Sequence, residues 1–154
     1  IGPLEISVTR FQNRPATAPH SLVSPQLILE NAVCLGRAHD LCGNTARALE
    51  VLEWAYEGYR NFLPERGDWF DLLGAADSAW HLVDTLESDS MDQTLRVYEI
   101  LTQATHWLDQ SATVRPLGHG HLDLCLQIET KRRSMNRFSG AYLATYQPDA
   151  CICR

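Results

Sequence analysis

Two short pairs of residues carry side chains that bind zinc in other proteins. His119 and His121 flank a glycine, and Cys151 and Cys153 flank an isoleucine near the end of the sequence. Imidazole and thiolate ligands build tetrahedral zinc sites, but their usual spacings are C-x₂₋₄-C and H-x₃₋₅-H. Neither pair has that spacing. We therefore predict solvated loop and tail residues at these positions, and no metal site.

A cysteine nucleophile with a histidine base is the next chemistry to consider. His39 follows Cys34 by five positions and precedes Cys42 by three. On a helix, residues five apart point about 140° from each other, and no oxyanion-hole feature or orienting group accompanies them. The pattern favours a core cysteine beside a surface histidine. Nucleotide-binding and hydrolase motifs are also missing from the sequence, so we expect no catalytic residue and no cofactor, and an enzyme is the less favoured class.

Aromatic and basic side chains are the remaining candidates, and they would bind another protein. Trp54 lies about 160° around its helix from Leu52, away from the apolar stripe. Lys131, Arg132 and Arg133 form a local basic cluster in a chain whose net charge is −6, so nucleic acid is not favoured as a partner. Tryptophan and arginine often dominate protein interfaces. The predicted binding residues are Trp54, Arg60, Arg132 and Arg133.

The elements that would position these residues are helices. Ser24-Pro25 combines an N-cap residue with proline at the first helical position, and Gly43 stands where a left-handed C-terminal cap is favoured. Between them the apolar residues recur at helical spacing. These residues are Leu27, Ala32, Leu35, Ala38 and Leu41.

Three further helices follow in the same way. Asn44 caps a second helix that Pro64 should end, and the short link between the first two helices requires an antiparallel hairpin. A third helix starts at Asp68 and runs to Leu86. A fourth starts at Ser90, in a capping-box pattern, and reaches Leu108. These four helices predict an all-α fold of antiparallel helix pairs, arranged either as stacked pairs or as a helical bundle.

The flanking regions give weaker patterns. Three prolines interrupt residues 1–23, which therefore predict an extended, irregular arm. The apolar alternation around Ile6 favours a short strand within it. Residues 111–121 predict a loop, and residues 122–128 alternate as a strand would, although a helix is favoured after four helices. The predicted organisation is therefore an arm (1–23), a helical domain (24–147) and a cysteine-bearing tail (148–154).

Composition limits the classes of protein to which this chain can belong. The chain is 45% apolar and 21% charged, which is typical of a globular domain, and no apolar run approaches the ~20 residues that cross a bilayer. Five cysteines are an odd number, which is unusual for a secreted disulfide framework. We expect no membrane partner and an intracellular location, cytoplasmic or nuclear, with secretion left open.

The hairpin from residue 32 to residue 59 resembles one tetratricopeptide repeat (TPR). Leu35-Gly36, Gly43 and the series Ala48, Leu52, Ala55 stand at the family's spacing. The chain departs from the family at Ala32, where a large aromatic residue is usual, and at Arg60, where proline is common. Thr94-Leu95 aligns with Ala48-Leu49, but at a wider spacing than the family's ~34 residues, so the second repeat is degenerate.

The resemblance implies an adapter or regulatory module that binds a peptide or helix of another protein, without enzymatic activity. Contact with a second copy is also expected, because the ends of a repeat array are uncovered. One alternative is a small helical enzyme or ligand-binding domain whose site lies in the bundle core. A further alternative is a secreted, cytokine-like helical bundle, which blocked cysteine pairs would identify.

Overall fold

The computed structural model describes Gly2, Glu5, Ile6, Thr9 and residues 24–66, 68–86 and 91–138, and the three continuous ranges contain five helices. The helices are α1 (Pro25–Leu41), α2 (Thr45–Arg66), α3 (Trp69–Thr85), α4 (Met91–Val114) and α5 (His119–Phe138). No residue in these ranges belongs to a strand. The predicted all-α fold class is confirmed.

The link between α1 and α2 is as short as predicted. Gly43 has a φ of 75°, in the left-handed region that glycine adopts without steric cost. Its N–H donates to the carbonyl of Asp40, and the N–H of Asn44 donates to the carbonyl of His39, both at 2.9 Å. This pair of hydrogen bonds is the Schellman motif, and it satisfies two of the carbonyls that the end of α1 would otherwise leave unpaired.

The apolar face of α1 is rotated from the predicted one. Leu27 and Leu41 were expected to face the core, but they are 49% and 87% exposed. The buried face instead carries Ala32, Leu35 and His39, together with their neighbours on adjacent turns. The apolar residues of this helix surround more than half of its circumference, so spacing alone did not fix which stripe is covered.

Two predicted boundaries are wrong. Pro64 was expected to end the second helix, but α2 continues to Arg66; a proline removes one hydrogen bond without necessarily ending a helix at once. The predicted loop 111–121 is also much shorter, because α4 reaches Val114 and α5 begins at His119. The buried Ser111 hydroxyl donates to the carbonyl of Trp69 at 3.0 Å, which ties this last part of α4 to α3.

The stretch that alternated like a strand lies within α5. Leu124, Ile128 and Met135 are its buried apolar residues, at 7%, 1% and 7% exposure. Their separations of four and seven positions place them on one helical face. The preference for helix at residues 121–130 is confirmed.

The predicted extended arm is not supported where it can be compared. Gly2, Glu5, Ile6 and Thr9 are helical, and Glu5 lies 3.9 Å from Arg47 of α2. The predicted strand near Ile6 rests on a single apolar alternation, and so short a pattern fits a helical turn equally well. Residues 10–23, the last part of the predicted helical domain (139–147) and the tail (148–154) lie outside the described residues.

The helices pack in two rows. Each helix contacts its neighbours in sequence, and α3 also contacts α1 and α5, so that α1, α3 and α5 form one row. Helix α2 packs over α1 and α3, and α4 packs over α3 and α5. In a closed four-helix bundle α1 and α4 would be neighbours, but in the described ranges they form no comparable interface.

Small residues allow the helices of each pair to approach closely. A Cβ atom added at Gly36 would lie 2.5 Å from Cγ of Leu52, and one added at Gly58 would overlap a methyl group of Leu29. Ala48 is completely buried on the same face of α2 as Leu52. The predicted close crossing of the first two helices near Gly36 therefore agrees with the observed packing.

Among the helices that the structure describes, none combines the length and the apolar character needed to cross a bilayer.

Candidate functional site

The row formed by α1, α3 and α5 borders an open groove of about 410 Å³, which we call the α1–α3–α5 groove. Side chains from all three helices line it, and Tyr59 reaches it from α2. Its volume lies within the ~300–1,000 Å³ typical of ligand pockets. The lining residues are Glu30, Val33, Cys34, Arg37, Tyr59, Phe70, Leu73, Gly74, Asp77, Gly120, His121 and Leu124.

The floor of the groove is apolar. Val33 of α1, Leu73 of α3 and Leu124 of α5 line it and are only 5%, 4% and 7% exposed. Because each comes from a different helix of the row, the floor depends on contacts between α1 and α3 and between α3 and α5. The groove is therefore a product of how the helix pairs stack, and no single hairpin contains it.

Tyr59 places a phenol at the groove although its side chain is almost fully buried, at 1% exposure. Gly74 gives the hydroxyl its space, since a Cβ atom at residue 74 would lie 2.7 Å from the phenol oxygen. No hydrogen bond joins this hydroxyl to another described residue. The oxygen is not among the fully enclosed side-chain atoms that lack a partner, so it is accessible from the groove as a hydrogen-bonding group.

Burial and the charges of several carboxylates act on the ionisation of Tyr59. Burial raises the pKa of the phenol strongly, and the negative charge of Glu30 is the next cause. Asp71 and Asp77 raise the same pKa further. Each of these effects disfavours the phenolate, so the side chain is a neutral phenol over the whole physiological pH range.

The rim of the groove carries both signs of charge. Glu30 accepts a hydrogen bond from Gln26 at 3.2 Å, and Oδ1 of Asp77 lies 3.5 Å from Nε2 of His81. Within the described residues neither carboxylate pairs with an arginine or lysine. Arg37 is exposed at the rim and forms no ion pair with a described carboxylate.

An aromatic cluster at the start of α3 contributes one residue to the groove. Phe70 lines the groove and is 48% exposed. Its ring packs edge-on against Trp69, with 5.7 Å between centroids, and the guanidinium of Arg115 lies 4.9 Å from the centroid of the Trp69 ring. Trp69 thus contacts both Phe70 and Arg115, and Phe70 offers an exposed apolar surface to the groove.

The predicted binding residues Trp54 and Arg60 lie on α2, outside the groove. Trp54 is partly buried and packs against the core. Arg60 is exposed, but Nη1 lies 3.0 Å from Oε1 of Glu57 and the guanidinium lies 5.7 Å from the ring centroid of Tyr56. Both residues therefore have intramolecular partners, and their role in binding stays a prediction.

The predicted residues Arg132 and Arg133 lie on α5 and share one carboxylate. Arg132 approaches Glu129 at 3.3 Å and Arg133 at 2.8 Å. Helix α5 packs against α3 and α4, whereas α2 packs against α1 and α3. The structure therefore does not bring this pair together with Trp54 and Arg60, and the basic cluster is partly neutralised by its own helix.

The cysteine and histidine environments of α1 are the reverse of those predicted. Cys34 and Cys42 are exposed free thiols, whereas His39 is 6% exposed and both of its ring nitrogens lack a hydrogen-bond partner. His39 is four positions after Leu35 and therefore continues the buried face of the helix. No step of a cysteine–histidine mechanism follows from this arrangement.

The two histidines considered as zinc ligands lie in a different element from the predicted one. His119 and His121 lie in the first turn of α5 and not in a loop; residues two apart on a helix point about 160° from each other. Cys151 and Cys153 lie outside the described residues. No group of three potential metal ligands occurs in the part of the chain that the structure describes.

Sequence reasoning missed the centre of the groove. Tyr59 has the spacing of the apolar residues of α2 and is buried, and Glu30 and Asp77 have the spacing of ordinary exposed helix residues. That they line one groove depends on the contact between α1 and α3, for which the sequence contains no local signal. Gly74, opposite the phenol, is the one residue whose type fits this arrangement.

Comparison with known proteins adds no further assignment: no protein-family model, no curated protein and no solved structure matches this chain significantly.

Proposed function

We propose that this chain is a protein-interaction module of stacked helix pairs that binds a peptide or helix of a partner protein in the α1–α3–α5 groove. The observation that supports this most directly is the open row of α1, α3 and α5 with a groove across it. Stacked helix pairs characteristically present one row of helices as a binding surface. The proposal describes an adapter or regulatory role, without enzymatic activity.

The pattern of helix contacts favours a TPR-like arrangement. Helices α1 and α2 form one pair, α3 and α4 form the next, and the first helices of the pairs contact each other. In this reading α5 is the first helix of a third pair. The resemblance of residues 32–59 to one repeat supports the same interpretation, because Gly36 and Ala48 lie at the close crossing that the motif requires.

The groove is a better candidate for the binding surface than the residues first predicted on α2 and α5. Its floor is apolar and its rim carries polar groups, which is the usual composition of a specific binding site. A volume of about 410 Å³ accommodates a few side chains of an extended peptide. Trp54, Arg60, Arg132 and Arg133 lie outside it and would contribute only through a second surface, such as contact with another copy of the chain.

We place this module in the cytoplasm or nucleus. Cys34 and Cys42 are exposed free thiols, which a reducing compartment preserves. This observation favours the intracellular reading over the cytokine-like alternative, whose discriminating feature would be blocked cysteine pairs.

The experiment that tests the proposal is selection of binding peptides from a random library displayed on phage, with the purified chain as bait. We expect a family of related peptides, each of which binds the chain in solution in a fluorescence polarisation assay. A selection that enriches no peptide above the starting pool would contradict the proposed function.

The position of the site is tested with two exposed cysteines. Cys34 lines the groove, whereas Cys42 follows α1 at its exposed end. Two variants are prepared that each retain one of these cysteines, with serine at the remaining cysteine positions, and each is alkylated with N-phenylmaleimide. We expect the adduct at Cys34 to weaken peptide binding at least about tenfold, and the adduct at Cys42 to leave it unchanged. Equal binding by the two adducts would place the site elsewhere.

A further inference from the structure

We infer that the centre of the α1–α3–α5 groove, formed by Glu30, Tyr59 and Asp77, is a subsite for the cationic side chain of a lysine or arginine in the bound peptide. This inference rests on the proposed function, since it assigns the chemistry of the ligand that the groove takes. The partner is then a protein with a basic segment.

The Tyr59 hydroxyl is the first observation that points to a ligand. Tyr59 lines the groove, its side chain is 1% exposed, and no hydrogen bond joins its hydroxyl to another described residue. The phenol oxygen packs against Gly74, where a Cβ atom would lie 2.7 Å from it. A phenol oxygen accepts hydrogen bonds, and an ammonium or guanidinium group in the groove would supply a donor for it.

The two carboxylates give the subsite its charge. Glu30 of α1 and Asp77 of α3 line the same groove as Tyr59, and the negative charge of each disfavours the ionised phenol. Their described partners are an amide, Gln26, and a histidine, His81. Two carboxylates without an arginine or lysine partner, in one groove with a phenol oxygen, form a site that a cation stabilises.

The cations at the rim do not neutralise this centre. Arg37 is seven residues after Glu30 on α1, which corresponds to about 10 Å along the helix axis, and it forms no ion pair with a described carboxylate. It therefore lies beyond the subsite, where it favours a short acidic stretch next to the basic residue. An anionic group at the centre itself would meet Glu30 and Asp77 and is disfavoured.

The surroundings suit the long stem of a basic side chain. The floor beside the carboxylates is apolar, with Val33 and Leu73 at 5% and 4% exposure. Phe70 adds an exposed aromatic face to the groove. Lysine and arginine bury their aliphatic stems against such surfaces while the charged end binds polar groups. The net charge of −6 also favours encounter with a basic partner.

The test begins with the peptides from the phage selection. We expect one position of the enriched family to contain lysine or arginine. A selected peptide with lysine at that position is synthesised together with its norleucine analogue, which keeps the aliphatic stem and lacks the charge. The analogue should bind the wild-type chain about tenfold more weakly, as loss of a charged hydrogen bond in a partly buried site predicts.

A double-mutant cycle then locates the lysine. The variant Glu30→Gln/Asp77→Asn should bind lysine and norleucine peptides with affinities within about twofold of each other. The matched control Glu50→Gln/Glu99→Gln removes the same charge from exposed positions on α2 and α4 and should retain the tenfold preference. Loss of the preference in the control as well would reduce the effect to net charge and overturn the subsite.

The phenol is tested separately with a matched pair on α2. Tyr59→Phe should lower the affinity for the lysine peptide and leave that for the norleucine peptide unchanged. Tyr56→Phe is the control, because Tyr56 is also buried on α2 but packs against Trp107 and does not line the groove. Circular dichroism and the melting midpoint of each variant verify that its fold is retained.

The outcomes separate the two proposals. Peptides that bind, are blocked by the adduct at Cys34 and show no basic position would overturn the cationic subsite and leave the proposed function standing. A basic position whose lysine shows no coupling to Glu30 and Asp77 would also overturn the subsite. Failure to enrich any peptide would overturn the proposed function, and the subsite with it.

Discussion

The α1–α2 pair and the α3–α4 pair reach close packing with different residue types. In the first pair glycines provide the space: Gly36 lies against Leu52, and Gly58 lies against Leu29. In the second pair the small buried residues are alanines: Ala75, Ala76, Ala79 and Ala104 are all at 0% exposure. A glycine-based crossing resembles a known repeat motif, whereas an alanine-based crossing has the same geometric effect without forming a recognisable pattern.

The two pairs are also fixed at different ends. The first pair is fixed at its short link by the Schellman motif around Gly43. The second is fixed at the start of α3, where Asp68 and Asp71 form a capping box and Ser111 donates from α4 to the carbonyl of Trp69. The groove lies between these pairs, so both must hold their helices in place for Tyr59 and the two carboxylates to line it.

The largest expected effect comes from filling the closed crossings. Ala48→Leu in the first pair and Ala104→Leu in the second each force a larger side chain into a site of 0% exposure, at a cost of about 1–3 kcal/mol or more. Urea unfolding should show similar losses for the two variants. A large loss for Ala48→Leu and none for Ala104→Leu would mean that only the motif-like pair is tightly packed.

The controls for these substitutions are exposed alanines on the same helices. Ala46→Leu on α2 and Ala112→Leu on α4 lie at exposed positions, so each should change the free energy of unfolding by less than about 0.5 kcal/mol. A comparable loss in the controls would indicate that leucine disturbs these helices for a reason other than packing.

A smaller effect distinguishes how the two pairs begin. The Asp68 side chain accepts hydrogen bonds from the N–H groups of Phe70 and Asp71, at 2.8 and 3.0 Å, whereas the Ser24 side chain at the start of α1 forms no capping bond. Asp68→Ala should therefore cost about 1 kcal/mol, and Ser24→Ala close to nothing. Equal losses in urea unfolding would show that the helix starts are stabilised in the same way.

The sequence predicts the helices because their signals are local. Pro25, Gly43 and Asp68 each act within one helical turn, and the structure has helix boundaries beside all three. The predicted loop at 111–121 was wrong because packing between distant residues extends α4, as the hydrogen bond from Ser111 to Trp69 illustrates. The predicted end at Pro64 was wrong because a proline does not necessarily end a helix at once.

The candidate site could not be predicted from local sequence patterns. Its floor and carboxylates come from α1, α3 and α5, and Tyr59 reaches it from α2. Spacing also failed to orient α1, where Cys34 was assigned to the core and His39 to the surface, the opposite of what is observed. When apolar residues lie around most of a helix, the buried face is determined by the positions of the neighbouring helices. The spacing of residues within one helix gives no information about those positions.

The smallest expected effect concerns Asp71, which joins the capping box of the second pair while being only 4% exposed. Oδ2 accepts the N–H of Asp68 at 3.0 Å, and Oδ1 is buried without a hydrogen-bond partner among the described residues. Burial raises the pKa of Asp71 above its ordinary value, more than the hydrogen bond from Asp68 lowers it. The folded chain therefore holds this proton more tightly than the unfolded chain does.

The sign of the resulting pH dependence follows from linkage. Because the folded pKa of Asp71 is the higher one, its contribution to stability falls as the pH rises from the unfolded pKa of about 4 through the folded pKa, and the loss persists above it. Asp71→Asn keeps an oxygen that can accept the N–H of Asp68 and cannot ionise. Urea unfolding across this pH range should show the variant gaining stability relative to wild type as the pH rises. The exposed Asp84 of α3 supplies the control Asp84→Asn. If the unfolding free energy of Asp71→Asn minus that of wild type stays constant or falls as the pH rises, the assignment of a buried, proton-binding carboxylate is contradicted.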